Sequence, residues 1–310
     1  MTAPLLSVVV TVVDGGDALE RCLAALARQT DAPPFEVLVP YDSTTAAVPG
    51  IIRAVGTGGP VPFRGLDLGR LPTRRPAGSP AGQHELIDRR RAGGLAAAAG
   101  ALIALLEDRS IAREDWAATV ASLHRDLPHA VIGGAVENGV DRRLNWMVFY
   151  CDFGRYEPPF AEGTRRFVSD VNVTYKRRAL DATRDLWRDR YHEPIIHWAL
   201  QRGGESVFAS PRLVVRQVRA GLTMRGLVRE RVAWGHLFGS LRMRDASVVR
   251  KAAFVMLSPA APLVLFARFL RDRILKRAPP GRTLAAAPGV MVLLAAWAAG
   301  EVAGCFDRER

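Results

Sequence analysis

Leu5 to Val13 is a nearly unbroken apolar run, mostly β-branched, with Ser7 and Thr11 as its polar positions. Such a run predicts a central strand buried on both faces of a parallel sheet. After Asp14-Gly15-Gly16, residues Leu19, Cys22, Leu23 and Leu26 fall at helical spacing. Asp17 and Glu20 have the spacing of a capping box, so a helix is expected to end near Gln29. Phe35 to Val39 reads as a second strand. Residues 49–82 are rich in Gly and Pro and give no assignment. Helical spacing returns over His84 to Gly100, and a buried strand, Leu102 to Leu106, runs into Glu107-Asp108-Arg109. Further helices are expected over Glu114 to His124, Arg177 to Arg188 and Pro194 to Arg202, and strands over Val131 to Val136 and Phe167 to Tyr175. Trp146 to Gly163 is aromatic and Pro-containing without periodicity, which suggests a binding loop. The alternation of strands and helices predicts an α/β fold, a mostly parallel sheet flanked by helices, over residues 1–220.

The pattern changes after Gly221. Residues 225–251 are strongly basic and lead to two uncharged stretches, Ala252 to Ala267 and Thr283 to Gly300, separated by the basic segment Arg271 to Arg282. As helices these stretches are roughly 24 and 27 Å long at about 1.5 Å per residue, short for a bilayer. If both crossed, the basic segment would lie on the far side, against the positive-inside tendency. Pro259 and Pro262 also interrupt the first stretch, which suits an interfacial or re-entrant helix, while the second is left as the one to cross. Residues 221–310 are therefore expected to form a helical, membrane-associated region.

Composition adds a partner class. Hydrophobic residues make up 49% of the 310 and charged residues 24%, which excludes wholesale disorder. The net charge of +12 calls for a polyanionic partner. Because the basic residues sit beside apolar stretches rather than among exposed aromatics, anionic lipid is favoured and nucleic acid is not. Cys22, Cys151 and Cys305 have neither disulfide-framework nor zinc-site spacing. The N-terminus has no basic n-region, so the first 220 residues are expected in the cytoplasm, at the membrane's cytoplasmic face.

Taken in order, Ser7-Val-Val-Val-Thr11, the helix with Cys22-Leu23 and Gln29, Glu36-Val-Leu-Val39 with Asp42-Ser-Thr, and Arg91-Ala-Gly-Gly to Gly100 leading into Leu105-Leu-Glu-Asp-Arg109 resemble the family-2 glycosyltransferases. Gly133-Gly134, Asn172-Val-Thr-Tyr-Lys-Arg and Tyr191-His-Glu193 extend the resemblance, which covers about residues 5–220. No single piece is specific; their order and spacing carry it.

The resemblance implies a Rossmann-like fold of the GT-A type. It also implies transfer, with inversion, of a sugar from a nucleoside diphosphate donor to a hydroxyl acceptor that is lipid-linked or part of a cell-surface glycan. Thr11 and Asp42 would hold the nucleotide, although Asp42 serves equally as a helix cap. Arg91 would neutralise the diphosphate, or else belong to a solvated helix face. Glu107 and Asp108 would hold a divalent metal, Mg²⁺ or Mn²⁺, or sugar hydroxyls. Arg109 stands where the motif usually has an acidic ligand, so the metal would be weakened or replaced by that guanidinium. Glu193 would be the general base, or a first-turn acid stabilised by the helix dipole. Asn172, Arg229, Arg231 and Trp234 would face the acceptor or a phosphate, with interfacial anchoring as the other account of the last three. A non-catalytic, nucleotide-sugar-binding scaffold at the membrane remains the rival reading.

Overall fold

The computed structural model describes residues 3–307 except 57, 58, 60 and 245. β1 (Leu6–Thr11), α1 (Gly16–Ala27), β2 (Phe35–Tyr41), α2 (Val48–Gly56) and β3 (Phe63–Asp67) open the chain. They are followed by α3 (Pro80–Ala97), β4 (Leu102–Glu107), β5 (Ser110–Ala112), α4 (Trp116–Asp126), β6 (Val131–Asn138) and α5 (Arg143–Asp152). Next are β7 (Gly163–Arg165), β8 (Asn172–Lys176), the short α6 (Arg177–Ala182) and α7 (Arg184–Trp187), α8 (Glu193–Arg202) and β9 (Val207–Gln217). Four helices, α9 (Met224–Arg242), α10 (Val248–Leu257), α11 (Ala261–Leu275) and α12 (Pro280–Gly304), end the described chain.

The chain divides into two compact units. The first comprises Met1–Arg74, His84–Gly139 and Tyr156–Val218; the second comprises Arg75–Gln83, Val140–Arg155 and Arg219–Arg310. In the first unit the strands form one sheet in the order β3-β2-β1-β4-β8-β6-β9-β5, with β7 also on β9. The expected mostly parallel sheet is corrected to a mixed one. β3, β2, β1 and β4 run parallel, as do β6 and β9, but β8 is antiparallel to both β4 and β6, and β5 and β7 are antiparallel to β9. An unbroken apolar run reports burial on both faces and not strand direction, and β8 is as fully buried as β4.

The core of this unit lies between the sheet and α3, α6 and α8, where Val9, Leu38, Leu105, Val173, Tyr175 and Trp187 pack together. Close seating of α3 on β1 depends on Gly94, where an added Cβ would stand 2.3 Å from Val9 Cγ1. That approach fixes the height of the whole α3 face that carries His84, Asp88 and Arg91. The unassigned segment 49–82 contains α2 and edge strand β3, whose Gly- and Pro-rich surroundings hide the periodicity.

The expected loop at 146–163 is instead partly helix, in the part that belongs to the second unit. Asn145 to Tyr150 of α5 are all buried, so the helix is apolar around its circumference and shows no amphipathic period. α9 and α12 approach at backbone distance because Gly235, Gly239, Gly300 and Gly304 meet at the crossing; a Cβ on Gly239 would fall 2.2 Å from Glu301 O. α10 buries no residue, and Val248, Met256 and Leu257 are 83%, 80% and 71% exposed. Val248–Leu275 and Pro280–Gly304, 28 and 25 residues, are long and apolar enough to cross a membrane by length and composition.

Candidate functional site

The parallel order of β2, β1 and β4 brings their carboxyl ends to one edge of the sheet, the usual place for ligands in open α/β folds. Thr11 and Glu107 are register partners at the ends of β1 and β4, and Asp42 follows β2. The predicted residues therefore come together, but several of them are already engaged.

Asp42 caps the 3₁₀ turn Ser43–Thr45, its Oδ1 accepting from Thr44 N at 2.7 Å and Thr44 Oγ1 at 2.6 Å. Its Oδ2 accepts from Arg90 Nε at 2.7 Å. Burial alone would raise this carboxyl, but the bonds from Arg90 and Thr44 bring it below its ordinary value. Arg90, fully buried, also donates to Val12 O at 2.6 Å and Thr44 Oγ1 at 2.8 Å, so one guanidinium ties the end of β1 to the end of β2. Asp42 is thus both the cap of this turn and the ion-pair partner of Arg90. Thr11 is likewise fully buried, with Oγ1 out of reach of solvent.

Glu107-Asp108-Arg109 acts in three different directions. Asp108 Oδ2 accepts from the backbone amides of Val13, Asp14 and Gly15 at 3.0, 3.0 and 2.7 Å, fastening the β1–α1 turn. Burial pushes its carboxyl up to about 7 against the pull of those amides. Arg109 makes a two-pronged bond to Asp14, at 2.8 and 2.6 Å, which secures the same turn from outside. This fastening does the work expected of Asp17, since the N-cap of α1 is Gly15 and no side chain caps it. Glu107 accepts from Arg91 NH2 at 2.8 Å and from Gln217 Nε2 at 3.3 Å.

Arg91 is the centre of the site. Its side chain is 3% exposed, and besides Glu107 it meets Asp170 Oδ2 through NH1 at 2.7 Å, with Asp88 Oδ1 at 3.8 Å. Burial would lower its pKa, but Asp170, Glu107 and Asp88 raise it above the ordinary arginine value, so the guanidinium is a fixed positive charge. Asp88 in turn receives His84 Nδ1 at 3.1 Å and His192 Nδ1 at 3.0 Å on the same oxygen, Oδ2. Against burial, the two imidazoles hold this carboxyl well below the usual range.

Glu193 opens α8 with Pro194 behind it, and its Oε1 lies 3.0 Å from His197 Nδ1. Burial pushes its carboxyl above the ordinary glutamate value, opposed by His197 and reinforced by Asp170. His197 Nε2 is held at 2.9 Å from Tyr175 OH, which lies 2.5 Å from Tyr191 OH, so the imidazole beside Glu193 is fixed by β8. A raised carboxylate held in one orientation is suited to abstracting a proton.

Asn172 does not face this site. Its amide donates to Ala135 O and Leu213 O, and Oδ1 accepts from Trp116 Nε1 at 3.0 Å, so it joins strands and helix as framework. Arg229, Arg231 and Trp234 belong to the second unit. There Arg231 is buried against Asp152 and stacks 5.0 Å from the Trp234 ring, Trp234 is half-buried, and Arg229 is exposed. Arg231 is thus a buried ion-pair partner of Asp152.

Sequence reasoning missed Asp88, Asp170, Arg90 and the pairing of His192. The signal within reach was the spacing of His84, Asp88 and Arg91, which puts all three on one face of α3. The contribution of Asp170, distant in sequence from Arg91 and Glu107, is a matter of tertiary folding alone.

The carboxylates at this edge do not fit a divalent cation as they stand. Glu107 and Asp170 are bonded to a guanidinium, Asp108 is turned to backbone amides, and Arg109 is itself a cation. Among the described residues no group of three or more His, Cys, Asp or Glu is disposed to hold a metal.

No family model matches the chain, and no curated protein matches it. Solved structures do. The mannosyltransferase PcManGT from Pyrobaculum calidifontis, in complex with GDP-Man and Mn²⁺, aligns with a TM-score of 0.54 at 14% identity, over 94% of this chain and 86% of that one. Residues 1–349 of S. aureus TarS, in complex with UDP-GlcNAc, align with a TM-score of 0.51 at 12% identity, over 93% of this chain and 90% of that one. At these identities the likeness is one of fold: the chain has a fold found in glycosyltransferases that bind nucleotide sugars.

Proposed function

We propose that this chain is a nucleotide-sugar-dependent glycosyltransferase of the family-2, GT-A kind. The observation that carries the reading is the pairing of a partly buried Glu193, its carboxyl raised, with a carboxylate and guanidinium cluster at the end of β4, on a fold shared with such enzymes. Glu193 takes the proton from the acceptor hydroxyl as it attacks the anomeric carbon, and His197, held by Tyr175, keeps the carboxylate oriented. A single base and direct attack give inversion. Asp170 and Glu107 accept hydrogen bonds from sugar hydroxyls, while Arg91 holds both carboxylates in place. The nucleotide lies beside the ends of β1 and β2, a place shaped by the Arg90 tie between Val12, Asp42 and Thr44.

The acceptor is proposed to be lipid-linked or a membrane-bound glycan. Exposed apolar residues of α10 and α11, with Arg250, Lys251, Arg268 and Arg271 among them, suit a surface of anionic lipid at the cytoplasmic face. A thermal-shift panel of nucleoside diphosphate sugars, run in EDTA and in Mn²⁺, tests the reading. Stabilisation by one base and sugar pair is expected; stabilisation by none would overturn it. Donor binding without any transfer would favour the scaffold instead.

A further inference from the structure

The acidic groups around Arg91 come from three separate elements: Asp88 from α3, Glu107 from the end of β4 and Asp170 from the segment before β8. Convergence of several carboxylate oxygens is how proteins build sites for hard divalent cations. Here the centre of that arrangement is a guanidinium, 3% exposed and bonded at 2.7 and 2.8 Å to two of the three acids. We propose that Arg91 is the resident cation of this site, filling the position a divalent ion would take, so that the donor is bound with no metal on Asp88, Glu107 or Asp170. The proposal rests on the glycosyltransferase reading only for the identity of the donor.

Three features support it. A guanidinium cannot lose its proton at any working pH, so the charge is permanent. A divalent ion approaching Glu107 or Asp170 would meet that charge at close range, beside the Oε1 and Oδ2 oxygens that already accept from it. The remaining members of the motif offer no substitute, because Asp108 serves the β1–α1 turn and Arg109 is held by Asp14. Arg109, to which sequence reasoning gave this replacement, is bonded to Asp14 in that turn, and the proposal gives the role to Arg91. Three acids from different elements also explain why Arg91 is drawn so deep: it is the counter-charge without which they would repel one another.

The test is Mn²⁺ titration followed by the electron paramagnetic resonance signal of the free ion, on the full chain, with circular dichroism as the check on folding. Wild type is expected to show no Mn²⁺ site that Glu107→Gln removes, and the same donor affinity in EDTA as in Mn²⁺. Arg91→Ala is expected to gain a Mn²⁺ site tighter than any in wild type by about tenfold or more, a difference of about 1.4 kcal/mol or more. Asp170→Asn in the Arg91→Ala background should abolish the gained site. Arg91→Lys, which keeps a positive charge, should still exclude Mn²⁺ and serves if the alanine variant fails to fold. A wild-type Mn²⁺ site lost in Glu107→Gln would overturn the proposal, as would a folded Arg91→Ala that gains none, or an Arg91→Lys that gains one. If no nucleoside diphosphate sugar binds in either condition, the glycosyltransferase reading fails, while the Mn²⁺ titrations still decide the place of Arg91.

Discussion

Asp88 Oδ2 lies 3.0 Å from His192 Nδ1, so the residue just before Glu193 is tied to the middle of α3 by a buried carboxylate. The same oxygen lies 3.1 Å from His84 Nδ1 one turn earlier on the helix. Entry into α8, and with it the position of Glu193, thus depends on a charge held inside α3.

The His84–Asp88 pair has a pH signature. Burial would lower the His84 value, but Asp88 raises it above the ordinary histidine range. A raised folded-state value means that the stabilisation is fully present below the unfolded value of about 6.5 and is lost as pH rises through the folded one. His84→Gln should therefore lower stability by about 1–2 kcal/mol at about pH 5.5 and by much less at about pH 9, read from urea unfolding at each pH. An equal loss at both would show that His84 acts by packing and not by charge.

Arg90 satisfies three acceptors from a fully buried position, including an ionised Asp42. Arg90→Met leaves that carboxylate buried without its partner and should cost about 3–5 kcal/mol in urea unfolding. Arg90→Lys should restore little, since one ammonium cannot reproduce the fork. Adding Asp42→Asn to Arg90→Met should recover part of the loss. If the double change were no better than the single one, the pair would not be the source of the cost.

The sheet edge was legible because β1, β2 and β4 are mostly apolar runs, with Thr11, Asp42 and Glu107 at or just past their carboxyl ends. Strand direction was not: burial of β8 on both faces looks the same whichever way its neighbours run. α5 was hidden for the same reason in helical form, since a helix apolar all round has no period to read. Within the site, Glu107 and Arg91 could be picked out by position along the chain, but their mutual bond, and the arrival of Asp170, belong to tertiary structure. The bonds that Arg109 and Asp108 make could not be read, because adjacent residues at a strand end point in different directions, and the turn they fasten lies some ninety residues away in sequence.

The proposed membrane attachment through α10 is checked by charge. Met256 and Leu257 are 80% and 71% exposed, so replacing them leaves the packing of the unit intact. Met256→Glu with Leu257→Glu should shift the protein from the membrane to the soluble fraction, because a charged side chain in the hydrocarbon costs on the order of 2.5–3.5 kcal/mol even by the mildest scales. Full retention of the folded double variant in washed membranes would place the attachment elsewhere, with α12 the next element to test.

The central claim is that Glu193 is the base of a sugar transfer at the end of β4. The direct measurement is incorporation of labelled sugar from its nucleoside diphosphate into a membrane lipid and glycan extract, by wild type and by Glu193→Gln. The variant should lose about 10² to 10⁴ in rate while binding the donor within about twofold of wild type. Wild-type rates from Glu193→Gln would contradict the assignment, and no incorporation by wild type would contradict the function.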